Sequence, residues 1–363
     1  MVYKEHVTEK HPTAYGFAVN KFVLSLLGQW PYQTKMQKLI IRTIGNSVMT
    51  VANLTSMKAL LDDIKDSFKT IRENSYEEEQ ILIKSAKEGS VILFFYIFLM
   101  ASSTFVYCLA TLAPTVLDFF IPLNETRVKN YIYDVNYVFL EKEEHYYFIF
   151  WHSTFAGVYC IGTIMSFDMM LYLFVKHVNA MFLVLRHRLK NIVASSNNNH
   201  CYSKEEYEKI EKETTSCIKL YNDTITFTNN VESCFATCLT FTMGVSAVIM
   251  CFQGVMIVVR IDHPDMVTMY VINFSSQAIH LFFDCFSGQL LLDGSGSVSY
   301  YIYCSNWCIL PQKQQRLLLL MMLRSIHDCH VTIGKFVILS NKTYSQLMKT
   351  IFSYLSVLMS VRE

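Results

Sequence analysis

The chain has 363 residues, 52% of them apolar and only 17% charged, with 31 basic side chains against 30 acidic ones. An ordinary soluble domain carries about 25% charged residues, so this chain is short of the groups that keep a surface wet. The charge balance excludes a nucleic-acid binder, and 14% aromatics with six prolines exclude low complexity and disorder. An all-α, multi-span membrane protein remains.

Taken in chain order, residues 1–12 mix charge and histidine with no apolar centre, so no signal peptide is expected there. A marginal apolar run, Thr43–Met57, lies between Arg42 and Lys58. A helix needs roughly 20 apolar residues to cross a hydrocarbon core of about 30 Å. Val91–Leu117 meets that, as does Tyr146–Phe167, continued by Met169–Val175 past Asp168. Ser195–His200 reads as a flexible link. Tyr202–Thr228 alternates charge at helical spacing and predicts a solvated helix running into the next span, Ser233–Val259. Met266–Phe283 follows, extended by Cys285–Leu292 past Asp284, and a last run, Phe336–Val361, is broken by Lys342 and Lys349.

Basic residues concentrate in cytoplasmic loops. The stretch 62–90 holds five Lys or Arg, 122–145 three, 176–230 eight, 261–266 none and 294–334 three. With alternation of sides, 62–90, 176–230 and 294–334 lie inside; 122–145, 261–266 and the C-terminus lie outside. Of five N-glycosylation sequons, Asn124-Glu125-Thr126 is the one in an outside loop. A C-terminus outside, with no DRY triplet and no NPxxY box, argues against a G-protein-coupled receptor.

Chemistry-bearing patterns are sparse. Cys234/Cys238 and Cys304/Cys308 are four apart, which stacks small apolar side chains on one helix face rather than building a closed metal site. Glu143-Glu144-His145 reads as a solvated patch at a membrane edge. No nucleophile elbow, P-loop or H-E-x-x-H is present, and neither an enzyme, a metal nor a cofactor is expected. Asp168, Asp284, His152 and His280 are the ionisable residues inside spans. Asp168 and Asp284 fall toward cytoplasmic ends, where a structural hydrogen-bonding role is the simpler reading, whereas His152 falls in an outer half and could face a cavity.

The last helix carries the sharpest pattern. Thr343, Gln346, Thr350, Ser353, Val357 and Ser360 follow steps of three and four residues and form one stripe, polar except at Val357. Leu347, Ile351, Leu355 and Leu358 form the opposite face. Such a helix suits a water-filled path, with Val357 and Val361 as a narrow apolar ring. A stripe bonded across a helix–helix interface is the alternative.

At these residues a resemblance appears. Lys349-Thr350 with Phe352-Ser353-Tyr354-Leu355-Ser356-Val357-Leu358 resembles the C-terminal signature of insect odorant receptors. Gly28-Gln29-Trp30-Pro31 resembles their N-terminal G-l-W-P, and Pro122-Leu123-Asn124-Glu125-Thr126-Arg127 the P-l-N-e-s-R of the large outer loop in hymenopteran style. Tyr303-Cys304-Ser305-Asn306-Trp307 resembles the box after the sixth span. Arg324-Ser325 and Thr332-Ile333-Gly334-Lys335 resemble the segment before the seventh.

The resemblance implies a seven-span helix bundle, multi-pass in the plasma membrane of sensory neurons, with a cytoplasmic N-terminus and an extracellular C-terminus. It implies an odorant-gated cation channel, a heterotetramer with the shared co-receptor, opened by small volatile odorants. Residues 1–175 would hold the first spans and outer loop; 176–363 would hold the later spans, the cytoplasmic packing region and the pore helix. Odorant would bind in the outer halves, for which Phe105, Cys108, Trp151, Phe155, Tyr270 and Phe274 are the candidates. The gate would correspond to Val357 and Val361, with Ser353 and Ser360 lining the pore beside them, and Asn124 would carry the glycan. Membrane lipid surrounds the whole; nucleic acid plays no part.

Three departures stand out. Gln29 replaces an apolar residue, Cys308 replaces the aromatic usual after Trp307, and residues 36–61 suffice for one span where the family has two. The family is also usually some tens of residues longer, so one N-terminal span is missing, or the first two are short. A gustatory receptor of the same superfamily is disfavoured because Lys349 stands where its tail box has Gln after Thr343-Tyr344. A membrane transporter would need converging buried ionisable groups, and the four candidates are scattered along the chain.

Overall fold

A computed structural model describes residues 54–120, 145–194, 202–262, 264–305 and 307–362. Among these, long helices dominate: α1 (Leu54–Asn74), α2 (Tyr76–Phe120), α3 (Tyr146–Ala194), α4 (Lys204–Val259) and α5 (Pro264–Tyr303). A 3-10 turn at Trp307–Ile309, α6 (Gln312–Ser325), the strands β1 (Thr332–Ile333) and β2 (Val337–Ile338), and α7 (Asn341–Arg362) complete the order.

The helix starts follow from local chemistry. Ser75 accepts the Glu78 N–H at 3.4 Å before α2. Ahead of α4, Ser203 and Glu206 form a reciprocal capping box, at 3.1 and 2.9 Å. Ser340 accepts the Thr343 N–H at 3.3 Å before α7.

Helices α2, α3 and α4 are long and apolar enough to cross a membrane. Each is far longer than a bilayer needs, at 45, 49 and 56 residues. The charged stretch from Tyr202 and the apolar run from Ser233 are therefore one continuous rod, as their shared helical spacing predicts. In α5 the apolar run is diluted by Ser275, Ser276, Gln277, His280, Asp284 and Gln289.

The chain forms two compact units interleaved along the sequence. The first comprises Met1–Leu93, Met169–Thr240 and Asp284–Thr343; the second comprises Phe94–Asp168, Phe241–Phe283 and Tyr344–Glu363. In the first, Ile71, Leu82, Ala180, Met181 and Val184 make a buried cluster, with Phe68, Ile81 and Leu220 against it. Arg188 closes this core with a two-pronged pair to Glu78, at 2.8 and 2.7 Å, and a bond to Ser216 at 3.1 Å.

The same unit contains an unexpected hairpin. Ile333 pairs with Val337 and Thr332 with Ile338. The turn needs positive φ at Gly334 (61°) and Lys335 (63°); glycine adopts this freely, whereas lysine there costs about 1 kcal/mol. The hairpin is tied to α4 by Thr332 to Glu232 and by the Gly334 N–H to Thr240, both at 2.6 Å. Its exit is held on α5, where the Asn341 N–H meets Gln289 at 3.3 Å and a Cβ on Gly288 would collide with the Leu339 carbonyl. At its start the Cys329 N–H bonds Ser295 at 2.9 Å, and burial pushes the Cys329 thiol above its ordinary range. The base of α7 is thus strapped to two other helices.

Candidate ligand pocket and pore helix

In the second unit α2, α3 and α5 meet at a buried polar node. The Tyr96 hydroxyl donates to Asp168 Oδ2 at 2.5 Å, and His280 Nδ1 lies 2.8 Å from the same oxygen. Tyr96 also stacks on Phe283 with ring centroids 3.9 Å apart. The expectation that the four ionisable residues are scattered is corrected for two of them. Asp168 and His280 are 112 positions apart yet bonded, because two long helices bring them together. Asp168 thus receives two buried side chains from two other helices, which fits its structural reading. Asp284 is fully buried too, in the first unit. His152 is exposed near the start of α3, where its ring lies over Phe148 at 6.4 Å.

Two turns further along α2 from Tyr96, α2 and α5 are tied again: Ser103 and Ser276 hydroxyls lie 2.6 Å apart. Beyond this bond lie the residues expected to hold ligand. Cys108, Tyr270 and Phe274 are half-buried, and Phe274 meets Phe352 of α7 at 6.1 Å. Phe105, Trp151 and Phe155 face outward, at 63%, 55% and 70% exposure. Trp151 and Phe155 belong to an aromatic ladder along α3 that runs from Tyr146 through Phe150. Three of the six are therefore half-buried and three are exposed.

Helix α7 presents its two faces differently. Ile351 is 2% exposed and Leu355 rests against Gly254 of α4, whereas Val357 is 61% exposed and Ser353 and Ser360 are exposed beside it. Among the described residues no stripe hydroxyl bonds to another helix, and Thr343 donates to Ile338 O ahead of α7 at 2.6 Å. Thr350 donates to Gln346 O at 3.0 Å and Ser360 to Val357 O at 2.8 Å, within α7 itself. Asn124 and the Val361 side chain lie outside the described residues, as do the N-terminal and outer-loop motifs.

The first unit also holds a polar cleft of about 1120 Å³. Asp63, Asp66, Glu213 and Asp223 share its lining with Lys209, Lys212 and Lys219, so neither sign prevails. Sequence reasoning missed the hairpin and the exposed apolar face of α6, where Leu319, Leu320 and Leu323 point outward while Leu318 and Met321 are buried. The run Leu317–Met322 was the available signal, since so short an apolar helix must cover something on both sides.

Long capped helices with charge-free centres, a buried polar node and a last helix with a polar outer stripe define a multi-pass helical membrane protein. The family model described as 7tm Odorant receptor matches residues 36–352. The chain belongs to that family, a family of receptors and not of enzymes. Odorant receptor 13a of Drosophila melanogaster is 24% identical over 279 residues, 72% of this chain and 64% of that protein. Odorant receptor 33b of the same fly is 25% identical over 101 residues, 28% of this chain and 27% of that one. The matched stretch is thus under two-thirds of either relative's length. Among solved structures, the insect olfactory receptor OR5 from Machilis hrabei in complex with eugenol superposes with a TM-score of 0.66 at 13% identity, covering 96% of this chain and 88% of that one. Another structure of OR5 gives 0.62, covering 95% and 97%. The shared fold is the membrane helix bundle expected from the motifs.

Proposed function

We propose that this chain is a tuning subunit of an odorant-gated cation channel, assembled as a heterotetramer with the family's co-receptor in the plasma membrane of sensory neurons. Its N-terminus is cytoplasmic and its C-terminus extracellular. The observation that carries the reading is α7: its apolar back packs inward, its polar stripe is exposed, and Thr350 and Ser360 of that stripe donate within the helix. A stripe so placed is suited to a water-filled path shared with neighbouring subunits, where Val357 and Val361 close the neck and Ser353 and Ser360 line it.

The odorant site lies in the outer halves of α2, α3 and α5, above the Ser103–Ser276 bond. Cys108, Tyr270 and Phe274 form its wall, and Phe105, Trp151 and Phe155 stand at the rim, covered by lipid or a neighbouring subunit. A mostly apolar lining with a few hydroxyls suits a small volatile ligand; OR5, which shares the fold, is known with eugenol bound. Asn124 carries the glycan on the outer loop. The exposed leucines of α6 form part of the cytoplasmic contact between subunits.

The test is to express the chain with and without the co-receptor and record current against an odorant panel. Odorant-evoked cation current with both, and little with this chain alone, supports the proposal. Strong currents from this chain alone contradict the heteromer, and odorant-independent solute uptake without current contradicts the channel.

A further inference from the structure

The hydrogen bonds at the inner end of the outer halves do not balance. Ser103 donates its one hydroxyl proton to Met100 O at 3.1 Å, as helical serines do. The 2.6 Å contact with Ser276 can be donated by either hydroxyl; with the Ser103 proton on Met100 O, Ser276 donates it and its own lone pairs are left over. Ser276 is half-buried, so those lone pairs are within reach. Its neighbour Ser275, by contrast, donates back to Val271 O at 2.8 Å on a more exposed face. The next residue, Gln277, has its side-chain carbonyl Oε1 buried with no hydrogen-bond partner among the described residues. Two adjacent residues of α5 therefore offer acceptors with nothing to accept, one turn from Phe274. A buried amide carbonyl left in this state is destabilising until something donates to it.

We propose that Ser276 and Gln277 form an acceptor floor that selects odorants bearing a hydrogen-bond donor, volatile alcohols and phenols, over their ethers and esters. The inference rests on the odorant site lying above the Ser103–Ser276 bond. An alcohol places its O–H toward Ser276 Oγ or Gln277 Oε1 and its hydrocarbon part against Tyr270, Phe274 and Cys108. An ether of the same shape has no proton to give and leaves the Gln277 carbonyl unpaired. Sites built around a ligand hydroxyl reject the analogue that lacks it far more strongly than apolar pockets reject a change of size.

The experiment uses the full chain with the co-receptor and compares concentration–response curves for activating alcohols and their methyl ethers. The alcohol is expected to be more potent by about tenfold or more. Gln277→Met keeps the length and removes the acceptor; Ser276→Ala removes the hydroxyl. Each should pull the alcohol-to-ether ratio toward one, mainly by weakening the alcohol, while the surviving ether response reports a folded channel. A wild-type ratio near one overturns the proposal. So does a ratio unchanged in both variants, or equal weakening of both ligands, which reports packing alone. Responses to odorants of any class leave the channel reading standing in all those cases; silence to every odorant with co-receptor present removes both together.

Discussion

His280 Nδ1 sits 2.8 Å from Asp168 Oδ2, with both side chains buried and the Tyr96 hydroxyl on the same oxygen. Three helices of the second unit are joined through one carboxylate oxygen. Removing the carboxylate takes this partner from both Tyr96 and His280, whereas removing Tyr96's hydroxyl leaves the His280 contact. Asp168→Ala should therefore lower stability by about 3 kcal/mol. Tyr96→Phe should lose about 1 kcal/mol, toward the small end because bonds between membrane helices are weaker than their burial suggests. Thermal melting of the detergent-purified protein checks the order; equal losses would show that the node is not centred on Asp168.

The exposed Val357 makes a second prediction. If four such helices meet, a ring of valines excludes water from the neck, and ions find nothing to replace their hydration. Val357→Ser should wet the neck and raise current without odorant. Leu358→Ser, on the half-buried back of α7, should lower surface expression instead. A silent, normally responsive Val357→Ser channel would place the gate elsewhere.

The strap before α7 can be tested with glycines. An added methyl at Gly288 meets the Leu339 carbonyl, while one at Gly244 meets nothing within 4 Å. Gly288→Ala should destabilise by about 1–3 kcal/mol, because backbone must shift, and should alter resting current because the base of α7 shifts with it. Gly244→Ala should be neutral or stabilising by about 0.5 kcal/mol. Equal melting temperatures for the two would remove Gly288 from the strap.

The outward leucines of α6 predict a defect in assembly rather than folding. Leu320→Asp with Leu323→Asp places charge on an exposed face, so the subunit should still reach its folded state. Recovery with tagged co-receptor should fall by at least about tenfold if that face is buried between subunits. Undiminished recovery would place the contact on other helices.

What the sequence shows and hides follows from distance along the chain. Charge-free runs place α2, α3 and α4 because the bilayer imposes a length on each span. The stripe on α7 is legible because its members are three and four residues apart, and the buried Ile351 against the exposed Val357 follows from the same period. Asp168 and His280 leave no local trace of their pairing, since 112 positions separate them. The hairpin was hidden because two-residue strands have no periodicity, and only Gly334 marks the turn. Aromatics such as Trp151 and Tyr270 look alike in sequence, yet one faces outward and the other is half-buried, because a nearly all-apolar helix does not reveal which side meets protein.

The central claim is that the polar stripe of α7 lines the ion path. Single cysteines at Ser353, Val357 and Leu358, each co-expressed with the co-receptor, can be challenged from outside with a charged thiol reagent while odorant holds the channel open. Modification should change the current at Ser353→Cys and Val357→Cys, and leave Leu358→Cys and the unsubstituted chain unaffected. Block at Leu358→Cys with no effect at Val357→Cys would contradict the account, because it would turn the other face of α7 toward the ions.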